Sequence, residues 1–80
     1  MLPSVHHPRY TVLRAHLKAL RKEAGLTQVQ LAQRLSVDQS YLSKIERGER
    51  YMDILFYLEW CRACEVAPDQ AVIKLVEAGA

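Results

Sequence analysis

The stretch Thr27–Arg50, TQVQLAQRLSVDQSYLSKIERGER, decides the fold, and its second half, Asp38–Arg47, decides the function. Wound at about 100° per residue, Asp38–Arg47 separates into two faces. Leu42 and Ile45 lie on one, with Tyr41 at its edge; Gln39, Ser40, Ser43, Lys44 and Arg47 share the other. The second face carries amides, hydroxyls and cations but no carboxylate. A surface selected only for solubility mixes both charge signs. This one is suited to meet an anion edge-on. A preceding helix and a tight turn complete a helix-turn-helix, an arrangement whose second helix lies in the DNA major groove.

Working outward, the 80 residues are enough for one small domain and one core. Half of them are hydrophobic, too many for a disordered chain. No run approaches the roughly 18 apolar residues of a membrane span. The start, MLPSVHHPRY, lacks the charged and apolar regions of a secretory signal, so a cytoplasmic protein is expected. The net charge is only +2, but it is unevenly distributed. Met1–Arg50 holds nine Lys and Arg against four Asp and Glu, and Tyr51–Ala80 two against five. The basic half is the half with the helix-turn-helix, as expected of an electrostatic footprint for phosphate.

Met1–Arg9 has two prolines and no periodicity and reads as a flexible arm, with Arg9 a candidate minor-groove contact; residues 10–80 form the domain. A first helix is expected from Tyr10 or Thr11 to Ala24 on a stripe of Leu13, Leu17, Leu20 and Ala24, closed by Gly25. Thr27 and Gln30 form a capping-box pattern for a second helix, with Leu31, Ala32 and Leu35 inward. Ser36-Val37 is the turn, and Asp38 caps the third helix, which closes near Arg47-Gly48. Asp53 opens a fourth helix to about Cys64, its stripe Ile54, Tyr57, Leu58, Trp60, Cys61 and Cys64. Pro68 opens a fifth, to about Ala78, with Val72, Leu75 and Val76 inward. Leu55, Phe56 and Ile73 are left outside these stripes. The expected architecture is all-α, five short helices with a central helix-turn-helix.

At these residues the chain resembles a known family. GLTQVQLAQRLSVDQSYLSKIERGER is similar to the Cro/phage-repressor (Xre-type) helix-turn-helix proteins, whose pattern reads GLTQ-x-x-LA-x-x-[LVA]-x(3)-[QS]-x-[IL]-S-x-[IWL]-E-x-G. The resemblance spans roughly residues 13–76 and implies a lambda-repressor-like domain that binds double-stranded DNA. It implies base contacts from Gln39, Ser40, Ser43 and Lys44, and phosphate contacts from Gln28, Arg47 and Arg50. It also implies an Arg21–Glu46 ion pair tying the first helix to the third, and a homodimer reading an inverted-repeat operator. Three positions depart from the pattern: Ser36 and Glu65 stand where glycine is usual, and Met52 where proline is common. If the first two need left-handed backbone, each costs on the order of 1 kcal/mol.

Other chemistry finds little support. Cys61 and Cys64 fall on the expected core face, where small buried thiols need no metal, and His6, His7 and His16 are not spaced to complete a zinc site. Glu23, Glu46, Glu49, Asp53 and Glu59 are scattered, and no glycine-rich phosphate loop or nucleophile–base pair is evident. An enzyme, a cofactor and a small-molecule substrate are therefore not expected. Two functions remain: a transcriptional regulator, most simply a repressor, and an antitoxin or adaptor using the same fold to hold a protein partner. Leu55, Phe56 and Ile73 supply the apolar surface either partner would need.

Overall fold

In the computed structural model, which describes residues 6–80, the helices are α1 (Pro8–Glu23), α2 (Gln28–Leu35), α3 (Gln39–Glu46), α4 (Ile54–Ala63) and α5 (Pro68–Glu77). Helix α1 starts earlier than its apolar stripe suggests. Pro8 occupies the first turn, where a missing N–H costs nothing, and His7 Nδ1 accepts a hydrogen bond from Arg9 N at 3.1 Å. Pro8 and Arg9 thus belong to a helix, and His7 to its cap, rather than to an arm; Met1–Val5 of the expected arm lie outside the described residues.

Helix α2 opens on a complete capping box. Thr27 Oγ1 accepts from Gln30 N at 3.1 Å, and Gln30 Oε1 accepts from Thr27 N at 2.9 Å. Asp53 caps α4 by accepting from Phe56 N at 2.8 Å. Asp38 departs from expectation. It stands at the cap position of α3 in extended backbone, but its carboxylate makes no capping bond. That group is exposed and keeps its water, a small loss when a cap is worth about 1 kcal/mol.

Helices α1 to α4 end alike, with a residue in the left-handed region followed by an N–H that reaches back five residues. After α2 that residue is Ser36 (φ 56°), with Val37 N bonded to Ala32 O at 3.0 Å. After α4 it is Glu65 (φ 59°), with Val66 N bonded to Cys61 O at 2.9 Å. The glycine-like backbone is kept at both positions although each carries a Cβ.

The core is a single cluster through which Trp60 runs, fully buried, its indole Nε1 donating to Leu17 O at 3.1 Å. Leu17 and Leu20 of α1, Leu31 and Ala32 of α2, and Leu42 and Ile45 of α3 close around it. Ala24 is exposed, beyond the reach of this cluster. His16 Nε2 and Tyr57 Oη, 2.8 Å apart, tie α1 to α4, and Arg34 Nη1 donates to Ala63 O at 2.7 Å to tie α2 to the end of α4.

The last two helices differ most from their expected stripes. Ile54, expected on the inward stripe of α4, is exposed. Phe56 is tucked in, edge-on to Tyr41 and Trp60 at centroid distances of 6.0 and 6.2 Å. In α5 the buried residue is Ala71, while Val72 and Val76 face outward. A methyl side chain at the contact lets α5 lie close, and only Leu75 follows it inward.

Candidate nucleic-acid interface

The rotation of α3 about its own axis is fixed by what it buries. Leu42 and Ile45 are shut off from solvent, each removal worth roughly 1.5–3 kcal/mol. Their burial turns Gln39, Ser40 and Lys44 into solvent, with Ser43 half-buried beside them. All four residues expected to read bases therefore lie along one side of one helix.

Beneath Gln39 runs a continuous hydrogen-bonded chain. Arg21 meets Glu46 side-on, Nε to Oε2 at 2.7 Å and Nη2 to Oε1 at 3.0 Å, and its Nη1 donates to Leu26 O at 3.0 Å. The two side chains are only 9% and 3% exposed. A charge removed from water is tolerated when paired and hydrogen-bonded in this way. Gln28 Nε2 donates to Glu46 Oε1 at 3.0 Å, and Gln28 Oε1 accepts from Gln39 Nε2 at 2.7 Å. Four residues from three helices thus form one relay from the core to the surface.

The cations at the end of α3 are placed less simply. Arg47 pairs with Glu49, and its Nη1 donates to Ser43 Oγ at 3.0 Å. Both members of the pair are more than half exposed, so the contact is worth at most about 1 kcal/mol. Arg50 lies over the Tyr41 ring, 5.4 Å from its centroid. Lys44, Arg50, Tyr41 and Tyr51 line one shallow depression with Glu49, so a carboxylate missing from the exposed side of α3 enters at its rim.

Arg14 was not among the expected site residues. Its Nη1 donates to Arg47 O at 3.0 Å, closing the end of α3 from across the chain. A Cβ at Gly48 (φ 77°) would lie 1.6 Å from that Nη1, so the glycine both turns the backbone and admits the guanidinium. The partners are 33 residues apart, and no local pattern announces such a contact.

Cys61 and Cys64 are buried, and burial pushes both thiols up, Cys64 to about 11. At neutral pH both thiols are held in the uncharged form, which is not the nucleophilic one. Among the described residues no group of three or more His, Cys, Asp or Glu is placed to hold a metal ion. No helix among them is long and apolar enough to cross a membrane.

This arrangement has known counterparts. The helix-turn-helix domain family matches residues 12–72. An immunity repressor protein of Bacillus phage phi105 is 54% identical over 43 residues, which are 54% of this chain and 29% of the phage protein. The chain therefore matches less than a third of that relative's length. Among solved structures, an XRE-family-like protein from Pseudomonas syringae pv. tomato superposes with a TM-score of 0.82 at 36% identity, covering 95% of this chain and 93% of that one. The clp gene regulator ClgR from C. glutamicum gives a TM-score of 0.77 at 26% identity, covering 99% and 97%. The restriction-modification controller protein C.AhdI from Aeromonas hydrophila gives 0.68 at 30%, covering 76% and 92%. With the family match spanning most of the chain and the capped helix pair in place, this protein belongs to the Xre/Cro-type helix-turn-helix family of DNA-binding transcription regulators, which are not enzymes.

Proposed function

We infer that the chain is a sequence-specific repressor that lays α3 in the major groove of double-stranded DNA. The observation that carries this is the exposed side of α3, free of carboxylates and braced from below by the Arg21–Glu46–Gln28–Gln39 relay. Gln39, Ser40, Ser43 and Lys44 are the base-contacting set, with Gln39 suited to adenine and Lys44 to guanine or phosphate. Gln28, Arg47 and Arg50 contact phosphate. Arg47 does so by exchanging Glu49 for a phosphate oxygen, an easy exchange for an exposed pair. Repression rather than activation is the simpler assignment, given a relative named as an immunity repressor. Such a protein works in the cytoplasm, where a bacterial or phage operator lies, and needs no cofactor.

One recognition helix spans too few base pairs to specify a site, so the active form is a homodimer on an inverted repeat, its two α3 helices about 34 Å apart. Leu55 and Ile73, 69% and 50% exposed, are the expected interface residues, joined by Ile54, Val72 and Val76. Beside them an apolar groove of about 360 Å³ is lined by Leu13, Met52, Tyr57 and Leu75. Phe56 is withdrawn from the proposed interface because it packs against Tyr41 and Trp60. The same patch serves the second reading, an antitoxin or adaptor that holds a different protein.

Binding to duplex DNA separates the two. A DNA-binding dimer retards random duplex at low salt, with log K falling against log salt at a slope near −0.9 per phosphate contact. No retardation at low ionic strength, or retardation independent of salt, leaves the adaptor reading.

A further inference from the structure

We propose that Glu46 is a specificity-determining positioning residue: acting through Gln28, its buried carboxylate fixes which end of the Gln39 amide faces the DNA. The proposal rests on the base-reading role given to Gln39 above. Paired with Arg21, the Glu46 carboxylate is a pure acceptor. Gln28 must therefore turn its NH2 toward Glu46, 3.0 Å away, and that choice leaves Gln28 Oε1 pointing at Gln39. An oxygen there accepts only a donor, so Gln39 turns its own NH2 inward, at 2.7 Å. The hydrogen-bond chain has a direction, and Glu46 sets it.

The direction matters because the two ends of an amide ask for different bases. As held, Gln39 offers the groove one N–H and its whole Oε1, a donor and an acceptor in fixed order. Adenine presents the complement, an N7 acceptor beside an N6 donor. Turned round, with Oε1 inward, Gln39 would offer two N–H donors, which suit the O6 and N7 acceptors of guanine. The relay therefore favours A·T over G·C at the pair Gln39 reads. An ion pair that looks purely structural is thereby given a part in recognition.

The test is base preference, measured by selecting sites from random duplex and by direct competition. The pair read by Gln39 is the position whose preference disappears in Gln39→Ala. Wild type should prefer A·T there. Gln28→Met, which removes the relay at a half-buried position, and Glu46→Gln, which supplies an amide that can donate as well as accept, should each narrow that preference about fivefold or more. Gln28→Lys, which offers Gln39 only donors, should narrow it further or turn it toward G·C. A role confined to folding would lower affinity for all duplexes together and leave the preference intact. If Gln39→Ala changes no position, the DNA-reading assignment itself fails. If it erases one position while Gln28→Met or a folded Glu46→Gln keeps the full A·T preference there, or if wild type prefers G·C there, the relay is wrong. Glu46 reaches Gln39 only through Gln28, so a full A·T preference kept in Gln28→Met overturns the relay even where Glu46→Gln does not fold. A loss confined to Gln28→Met, with folded Glu46→Gln unchanged, overturns the part given to Glu46.

Discussion

Single residues carry the clearest strain in this chain. Ser36 and Glu65 hold left-handed backbone, φ 56° and 59°, at helix ends where a Cβ crowds the following carbonyl. Ser36→Gly and Glu65→Gly should each stabilise the domain by about 1 kcal/mol, read as a rise in the urea midpoint at unchanged slope. Both positions were visible in the sequence as departures from a family pattern, and their backbone angles give that departure a physical meaning. Gly48 is the converse case: left-handed backbone and the close approach of Arg14 are met by the one residue that fits both. The glycine could be read from the sequence as a helix end, but the guanidinium over it could not.

At the scale of elements, the helix boundaries and the central pair were legible because their signals are local. Thr27 with Gln30, Asp53 and the stripe Leu13–Leu17–Leu20 each act within one or two turns. The errors fall where distant packing decides. Phe56 lies off the apolar stripe of α4, yet Tyr41 and Trp60 provide a pocket for it. Val72 and Val76 look like a core face, yet Ala71 is the residue that lets α5 approach. Asp38 reads as a cap, and its carboxylate stays in water instead. The joint between α1 and α3 also yields a number. Glu46→Ala leaves the Arg21 charge buried and unpaired and should cost about 3–5 kcal/mol in urea unfolding, whereas an exposed pair would lose about 0–1 kcal/mol. That is a large share of the roughly 0.05–0.15 kcal/mol per residue a domain has available.

For the whole molecule, the charge division seen in the sequence suits the proposed dimer. The basic half contains α3, and the acidic half carries the exposed Leu55 and Ile73 on α4 and α5, so pairing there would leave the basic faces free. Leu55→Glu and Ile73→Glu should each shift a dimer to monomer in sedimentation at micromolar concentration without loss of helix. A wild type that is already monomeric, or variants that remain paired, would move the interface elsewhere. The apolar surplus was legible from the sequence in Leu55 and Ile73; the share supplied by Ile54 and Val76 was not, because those residues sit on stripes that the tertiary packing leaves bare. The central claim, that the exposed side of α3 reads DNA sequence, is tested most directly by one comparison of affinities. Gln39→Ala should lose about 1–3 kcal/mol on the selected site and almost nothing on random duplex. Equal losses on both duplexes, or no loss on either, would contradict it.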